Sequence, residues 1–239
     1  TVNVLCSMGG SLARRLPFRM RAMSTTVGPT LIFQAVDLAG VLANGVLGGL
    51  LARRLGFDPV GFVVLALISG LGGGVLRDLL LQVPPVALHN PAYLGVALAG
   101  AAIAFLVDLR GTLTHRGLVV ADALALGAWA ATGATKALAQ DLPLLSAILL
   151  GLVTAVGGGM IRDLVVREIP KVFSGTLYAS VALVAAVAAA LLALAGHPEM
   201  GMGSAILLAG VLAVAARRFG WVLPAATDLR PRIPHRRRG

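Results

Sequence analysis

Two short segments of the chain combine residue types that rarely occur together in an apolar sequence. Each has three consecutive glycines, two apolar residues, an arginine, an aspartate and a leucine, at residues 72–79 and 157–164. Glycine weakens a helix by about 1 kcal/mol relative to alanine, and a central charge costs roughly 2.5–3.5 kcal/mol on membrane-insertion scales. Irregular backbone is tolerated at membrane depth only inside protein or beside a polar cavity. The segments therefore predict a polar pathway between two broken helices.

The predicted chemistry of this pathway is transient ion binding. Backbone carbonyls that a helix break leaves unpaired can replace the hydration shell of K⁺ or Na⁺, and no other metal site is predicted. The predicted pathway residues are Gly72, Gly73, Gly74, Arg77, Gly157, Gly158, Gly159 and Arg162. The predicted charge partners near the pathway are Asp37, Asp78, Asp122 and Asp163.

The two arginines require partners, because a fixed positive charge in a pathway repels cations. Neighbouring helix residues point about 100° apart, so we expect Arg77 to pair with an acid across the repeat interface rather than with Asp78. The alternative is that the charged pairs only pin the helices together, and that the glycines only allow the helices to cross closely.

The composition indicates an α-helical integral membrane protein. Of 239 residues, 58% are hydrophobic and 13% are charged, whereas about a quarter are charged in soluble domains. The single cysteine, Cys6, excludes an internal disulfide. The net charge of +10 lies mainly at the chain ends and in a few loops, which favours anionic lipid as a partner over nucleic acid. No nucleophile–base spacing or phosphate loop is evident, so we predict neither an enzyme nor a cofactor.

Seven apolar runs approach the 17–25 residues that a membrane-spanning helix needs. The predicted spans are 31–52, 60–82, 92–109, 118–139, 143–167, 172–195 and 202–219. Residues 1–30 are predicted to be an extension without fixed structure, and residues 220–239 a basic cytoplasmic tail. The membrane domain is predicted to cover residues 31–219.

The polar residues of the first three spans recur 85 positions later without a gap. Asp37 coincides with Asp122, the triple glycines coincide, and Pro85 coincides with Pro170. We infer a duplication, with repeat one at 31–109, repeat two at 118–195 and an extra helix at 202–219. Because three spans is an odd number, the second copy enters the membrane from the opposite side, which gives an inverted repeat.

Basic residues predict the orientation, since Lys and Arg are enriched in cytoplasmic loops. They follow predicted spans 1, 3, 5 and 7, and are Arg53, Arg54, Arg110, Arg116, Arg167, Lys171, Arg217, Arg218, Arg230, Arg232, Arg236, Arg237 and Arg238. The amino terminus is therefore expected outside and the carboxyl terminus in the cytoplasm, although arginines between residues 14 and 21 oppose this. Tyr93, Trp129, Tyr178 and Trp221 are either interfacial anchors or packing residues.

The paired G-G-G-x-φ-R-D-L motifs, each followed by a proline in a duplicated seven-span chain, resemble the prokaryotic TRIC (trimeric intracellular cation) channels. The resemblance covers residues 31–219. It implies a homotrimer in the cell membrane with one pore in each protomer, kinks in spans 2 and 5, and permeation mainly by K⁺. It also implies that basic residues near the kinks shape the gate, which Arg77 and Arg162 match and for which Lys171 is a further candidate.

Two other functions stay open. Bacterial members of this family are linked to glycine uptake, which makes a small amino-acid transporter the alternative; half-helix amino termini hold a carboxylate in other inverted-repeat carriers. A structural or lipid-interacting membrane protein without a pathway is the third possibility.

Overall fold

The computed structural model describes residues 31–107, 111–174 and 177–223, except for the side chains of residues 112, 113 and 115. The regular elements in these ranges are eight α-helices and one 3₁₀ turn. They are α1 (Leu31–Arg54), α2 (Pro59–Leu80), α3 (Val86–His89), α4 (Pro91–Leu106), α5 (Thr112–Ala139), α6 (Leu144–Val165), the 3₁₀ turn Lys171–Phe173, α7 (Tyr178–Leu194) and α8 (Pro198–Arg218). The predicted extension 1–30 and most of the predicted tail lie outside the described residues.

Five of these helices are long and apolar enough to cross a membrane, namely α1, α2, α5, α6 and α8. Helices α4 and α7 are apolar but shorter, with 16 and 17 residues. The predicted sixth span began too early, at residue 172. After Pro170 the described residues form the 3₁₀ turn Lys171–Phe173, and α7 begins at Tyr178. The fold is that of a multi-pass helical membrane protein.

Local signals in the sequence set the start of two helices. The carboxylate of Asp58 accepts the backbone N–H of Gly61 at 2.8 Å, and Pro59 occupies the first helical position of α2. Asn90 caps α4 in the same way. A side-chain oxygen at this position satisfies a backbone donor that the helix cannot, and proline there loses no hydrogen bond.

The duplication seen in the sequence also appears in the backbone. The bounds of α2 (Pro59–Leu80), moved by 85 positions, are the bounds of α6 (Leu144–Val165). The chain leaves both helices through a residue with positive φ, 55° at Gln82 and 59° at Arg167. The two segments therefore share their helix limits and the turn that follows.

The prediction that the triple glycines break the helices is wrong, because α2 and α6 run through them without interruption. The glycines lie where α2 crosses α6. A Cβ added at Gly72 would stand 3.1 Å from the Cα of Gly158, and one added at Gly73 would overlap the carbonyl oxygen of Thr154. Small residues let two backbones approach closely. The stabilisation from this packing outweighs the low helix propensity of glycine.

Each repeat has a second close crossing, between its first and second helix. A Cβ at Gly48 of α1 would overlap the carbonyl of Leu65, and one at Gly133 of α5 would lie 2.9 Å from the carbonyl oxygen of Leu150. These positions are again 85 apart. The crossings pack α1 on α2 and α5 on α6, while the α2–α6 crossing joins the two repeats.

Candidate functional site

The charged residues that follow the glycines pair with their immediate neighbours. Arg77 Nε lies 2.8 Å from Asp78 Oδ1 and Nη2 lies 3.2 Å from Oδ2, with both side chains buried. Arg162 repeats the arrangement, with Nη2 2.7 Å from Asp163 Oδ1. The prediction of pairing across the repeat interface is therefore wrong. The rotation of about 100° between adjacent residues separates their Cβ directions, but the long arginine side chain turns back to the nearest carboxylate.

The first cluster consists of Asp37, Arg77, Asp78, Tyr93 and Lys136. Asp78 also accepts the backbone N–H of residue 86 at 2.9 Å and lies 3.5 Å from Lys136 Nζ. Asp37 is 8% exposed and its Oδ2 accepts the hydroxyl of Tyr93 at 2.7 Å. Two cations therefore surround Asp78, whereas Asp37 has a neutral donor.

The second cluster consists of Asp122, Arg162, Asp163, Lys171 and Tyr178. Asp122 accepts the hydroxyl of Tyr178 at 3.2 Å on one oxygen and lies 3.1 Å from Lys171 Nζ through the other. The same ammonium lies 5.5 Å from the centre of the Tyr178 ring, within the range of a cation–π contact. Asp122 is thus ion-paired.

One hydrogen bond joins the second cluster to the first repeat. Arg162 Nη1 donates to the hydroxyl of Ser69 on α2 at 3.1 Å. Ser69 is fully buried and coincides with Thr154 in the duplication. The Thr154 hydroxyl instead donates to the carbonyl of Leu150 within its own helix, at 2.6 Å.

The two clusters contact α5 at different levels along its length. Lys136 and Asp122 are 14 residues apart on this helix, which corresponds to about 21 Å at 1.5 Å per residue. Lys136, near the end of α5, contacts Asp78, which lines a cavity together with Asp37 near the start of α1. The start of α1 therefore lies beside the end of α5. One turn further along α1, Gly40 faces Trp129, which comes earlier on α5, so the two equivalent helices run in opposite directions.

Each cluster adjoins a cavity, but the two cavities differ in size. The first measures about 20 Å³, enough for about one water molecule. Its lining includes Asp37, Gly74, Arg77, Asp78, Val86, Tyr93 and Trp129. The second measures about 400 Å³, and its lining includes Asp122, Leu126, Lys171, Tyr178, Arg217 and Trp221.

The structure divides the predicted glycines into two groups. Gly72, Gly73, Gly157 and Gly158 face the opposite helix at the crossing. The third glycine of each motif does not: a Cβ there would meet only the arginine of its own motif, at 3.7 Å from Gly74 and 3.9 Å from Gly159. Of the six, Gly74 lines the first cavity.

Sequence reasoning missed three side chains of the clusters. Tyr93 and Tyr178 bind the two buried carboxylates, and their separation of 85 positions could have revealed them. Burial of Tyr93 and Trp129 supports the packing interpretation over interfacial anchoring. Lys136 coincides with Leu51, so the duplication gives no signal for it.

No group of three or more His, Cys, Asp or Glu side chains in the described ranges is close enough to hold a metal ion.

Comparisons with known proteins match the duplicated region. The profile of a family described as glycine transporter matches residues 34–108 and again residues 119–194. A UPF0126 membrane protein from Deinococcus radiodurans is 38% identical over 190 residues, covering 78% of this chain and 88% of that protein. The UPF0126 inner membrane protein YadS from Escherichia coli is 34% identical over 151 residues, covering 62% and 73%.

Among solved structures, a TRIC trimeric intracellular cation channel orthologue from Rhodobacter sphaeroides has the same fold. It superposes with a TM-score of 0.74 and 32% sequence identity, over 80% of this chain and 99% of that chain. The structural similarity therefore extends over nearly the whole of that protein.

Proposed function

Because the chain belongs to the glycine transporter family and shares the fold of prokaryotic TRIC channels, we propose that it is a K⁺-preferring monovalent cation channel. It assembles as a homotrimer with one pathway inside each protomer. The observation that carries the proposal is the pair of clusters, about 21 Å apart along α5, each beside a cavity that contains a buried carboxylate. They stand at the two ends of the pathway.

The charge pairs explain how a cation passes two buried arginines. Arg77 and Arg162 are each neutralised by the next residue in the chain, so neither presents an unscreened positive charge. Asp37 attracts a cation at one end, and Asp122, which is ion-paired with Lys171, stands at the other. Between the ends, α2 and α6 are in backbone contact at the glycines. Conduction requires these helices to separate there, and the small glycine contacts leave few side-chain contacts to break.

The proposed topology has seven spans and inverted repeats in the cell's inner membrane. The opposite directions of α1 and α5 support the inversion, and the basic loops support an external amino terminus and a cytoplasmic carboxyl terminus. Anionic lipid contacts the basic cytoplasmic face. Arg53 is an exception, since its guanidinium donates to the carbonyl of Ala104 at 2.8 Å and caps α4. Reporter fusions after residues 110 and 218 should both report the cytoplasm.

A small amino-acid carrier is the second candidate. The family's description favours it, and so does the second cavity, where Lys171 and Arg217 could take a carboxylate and Asp122 an ammonium group.

Recording from purified protein in a planar bilayer, with a parallel liposome assay for glycine, separates the candidates. A channel gives unitary current steps in KCl and no saturable glycine uptake. Saturable glycine uptake without unitary steps would support the carrier and overturn the channel.

A further inference from the structure

Both repeats contain the same pair of a buried carboxylate and a tyrosine hydroxyl. Asp37 accepts from Tyr93 at 2.7 Å, and Asp122 accepts from Tyr178 at 3.2 Å. Each member of one pair lies 85 positions from its equivalent. The two pairs are therefore copies of one arrangement. A difference between the residues around them indicates that the two carboxylates have different binding partners.

One difference between the surroundings lies directly beside the two carboxylates. Beside Asp122 stands Lys171, whose ammonium lies 3.1 Å from the carboxylate. The residue 85 positions earlier is Val86, which lines the first cavity together with Asp37. In the first repeat, the equivalent residue therefore carries no charge, and it borders a cavity beside the carboxylate.

Asp37 has no ion pair within the described part of the chain, although it is 8% exposed. The nearby cations are committed elsewhere: Arg77 contacts both oxygens of Asp78, and Lys136 lies 3.5 Å from the same carboxylate. A buried carboxylate with one neutral donor is costly. A cation in contact with it would offset that cost.

We propose that the first cavity binds one K⁺ or Na⁺ ion against the carboxylate of Asp37, in the place that the Lys171 ammonium takes beside Asp122. The cavity of about 20 Å³ suits one ion the size of a water molecule. The aromatic rings of Tyr93 and Trp129 line it and can contribute cation–π attraction. A divalent ion is disfavoured, because Ca²⁺ and Mg²⁺ need six or more oxygen ligands.

The site deepens the proposed function, since it assigns a resting position for the permeating ion at one end of the pathway. Its test is an equilibrium measurement that does not depend on current. The sequence has two tryptophans, of which Trp129 lines the first cavity and Trp221 the second. Thallous ion replaces K⁺ chemically and quenches tryptophan fluorescence on contact, so Trp129 reports occupancy of the first cavity in a Trp221→Phe background.

The expected result for the full chain in detergent is saturable quenching by thallous nitrate that KNO₃ reverses and choline nitrate does not. Asp37→Asn weakens the apparent affinity by about tenfold or more, because a unit charge at about 4 Å contributes more free energy than one decade of binding requires. Val86→Lys places a tethered ammonium at the site and abolishes saturable quenching. Val86→Met is the matched control of similar length without charge, and it retains saturable quenching.

Three results would overturn the site: quenching of the parent that rises linearly with thallous ion, unchanged quenching in Val86→Lys, or equal loss in Val86→Met, which would assign the effect to volume. Helix content by circular dichroism is checked for each variant. The site and the channel fail separately. Unitary K⁺ currents without saturable quenching overturn only the site, and saturable quenching without current overturns only the channel.

Discussion

The cavity beside Asp37 measures about 20 Å³, whereas the cavity beside Asp122, its equivalent in the duplication, measures about 400 Å³. The narrow cavity lies among the helices of repeat one and α5, the first helix of repeat two, which supplies Trp129. The wide one is bordered by α8, which supplies Ala213, Ala216 and Arg217 and has no counterpart in repeat one. The polar residues that both repeats share determine the chemistry of the two cavities. Helix α8 and the residues that differ between the repeats determine the cavity volumes.

A tryptophan contributes to the narrowness of the first cavity. Trp129 coincides with Asn44 in the duplication, and its ring stands where a side chain at Gly40 would be, with Nε1 3.0 Å from an added Cβ. The equivalent of Gly40 is Ala125. The two cavities therefore differ in the size of the side chains at equivalent positions as well as in their charge, and the first cavity is the narrower one.

The largest loss of stability is expected from removing the Asp78 carboxylate in the first cluster. Asp78→Asn leaves Arg77 buried without its counter-charge, which costs about 3–5 kcal/mol of stability. Asp163→Asn should cost less, because Arg162 retains its hydrogen bond to Ser69 and Asp163 accepts from fewer groups among the described residues. Denaturation in mixed micelles, followed by circular dichroism, measures both. Equal losses would show that the extra donors at Asp78 contribute nothing.

The α2–α6 crossing is the region where the two repeats are equivalent. Gly73→Ala and Gly158→Ala each drive a methyl group against a carbonyl oxygen of the other helix, so each should cost about 1–3 kcal/mol, the range for overpacking. Gly74→Ala and Gly159→Ala are the controls, since their added methyl groups meet only a flexible arginine. Melting temperatures of the four variants test this, and a control as unstable as its neighbour would contradict it.

Removal of a tyrosine hydroxyl should lower stability by a smaller amount, and the loss should differ between the two clusters. Tyr93→Phe removes the hydroxyl that Asp37 accepts, and an unsatisfied buried group costs about 1–3 kcal/mol. Tyr178→Phe should cost less, because Asp122 keeps its ion pair with Lys171. The melting temperatures of the two variants are compared at equal ionic strength, in KNO₃ and in choline nitrate. A greater loss in Tyr178→Phe would reverse the assigned roles.

The smallest effect is expected at an exposed ion pair between the repeats. Arg54 on α1 contacts Glu168 after α6, and both side chains reach solvent. Arg54→Ala should change stability by about 0–1 kcal/mol, and the change should vanish at high salt. Glu168→Gln is the matched variant. A salt-independent loss in either would place this pair among the structural contacts.

The membrane class, the duplication and most helix limits could be predicted from the sequence, because hydropathy and a constant offset are local or pairwise signals. The continuity of α2 and α6 could not, since glycine propensity describes an isolated helix and the crossing partner decides the outcome. The packing of Gly72 against Gly158 depends on two segments that meet only in the folded protein.

The contents of the candidate site were only partly predictable. The acids and arginines are recognisable in the sequence because they recur at the offset, but their pairing is not, because the Cβ direction does not show how far a long side chain turns. Lys136 and Val86 were missed for the opposite reason. Each differs from its equivalent, Leu51 and Lys171, and a search for what the repeats share cannot find what distinguishes them.

The central claim, a cation pathway inside each protomer, is tested most directly by planar-bilayer recording of the purified protein in symmetric KCl, at a density that gives one assembly per membrane. Three independent pathways in a trimer predict current in three equal levels, each carried by K⁺ in preference to chloride under a salt gradient. Under the same conditions, a single indivisible level would contradict a pathway in each protomer, and an absence of unitary current would contradict the channel itself.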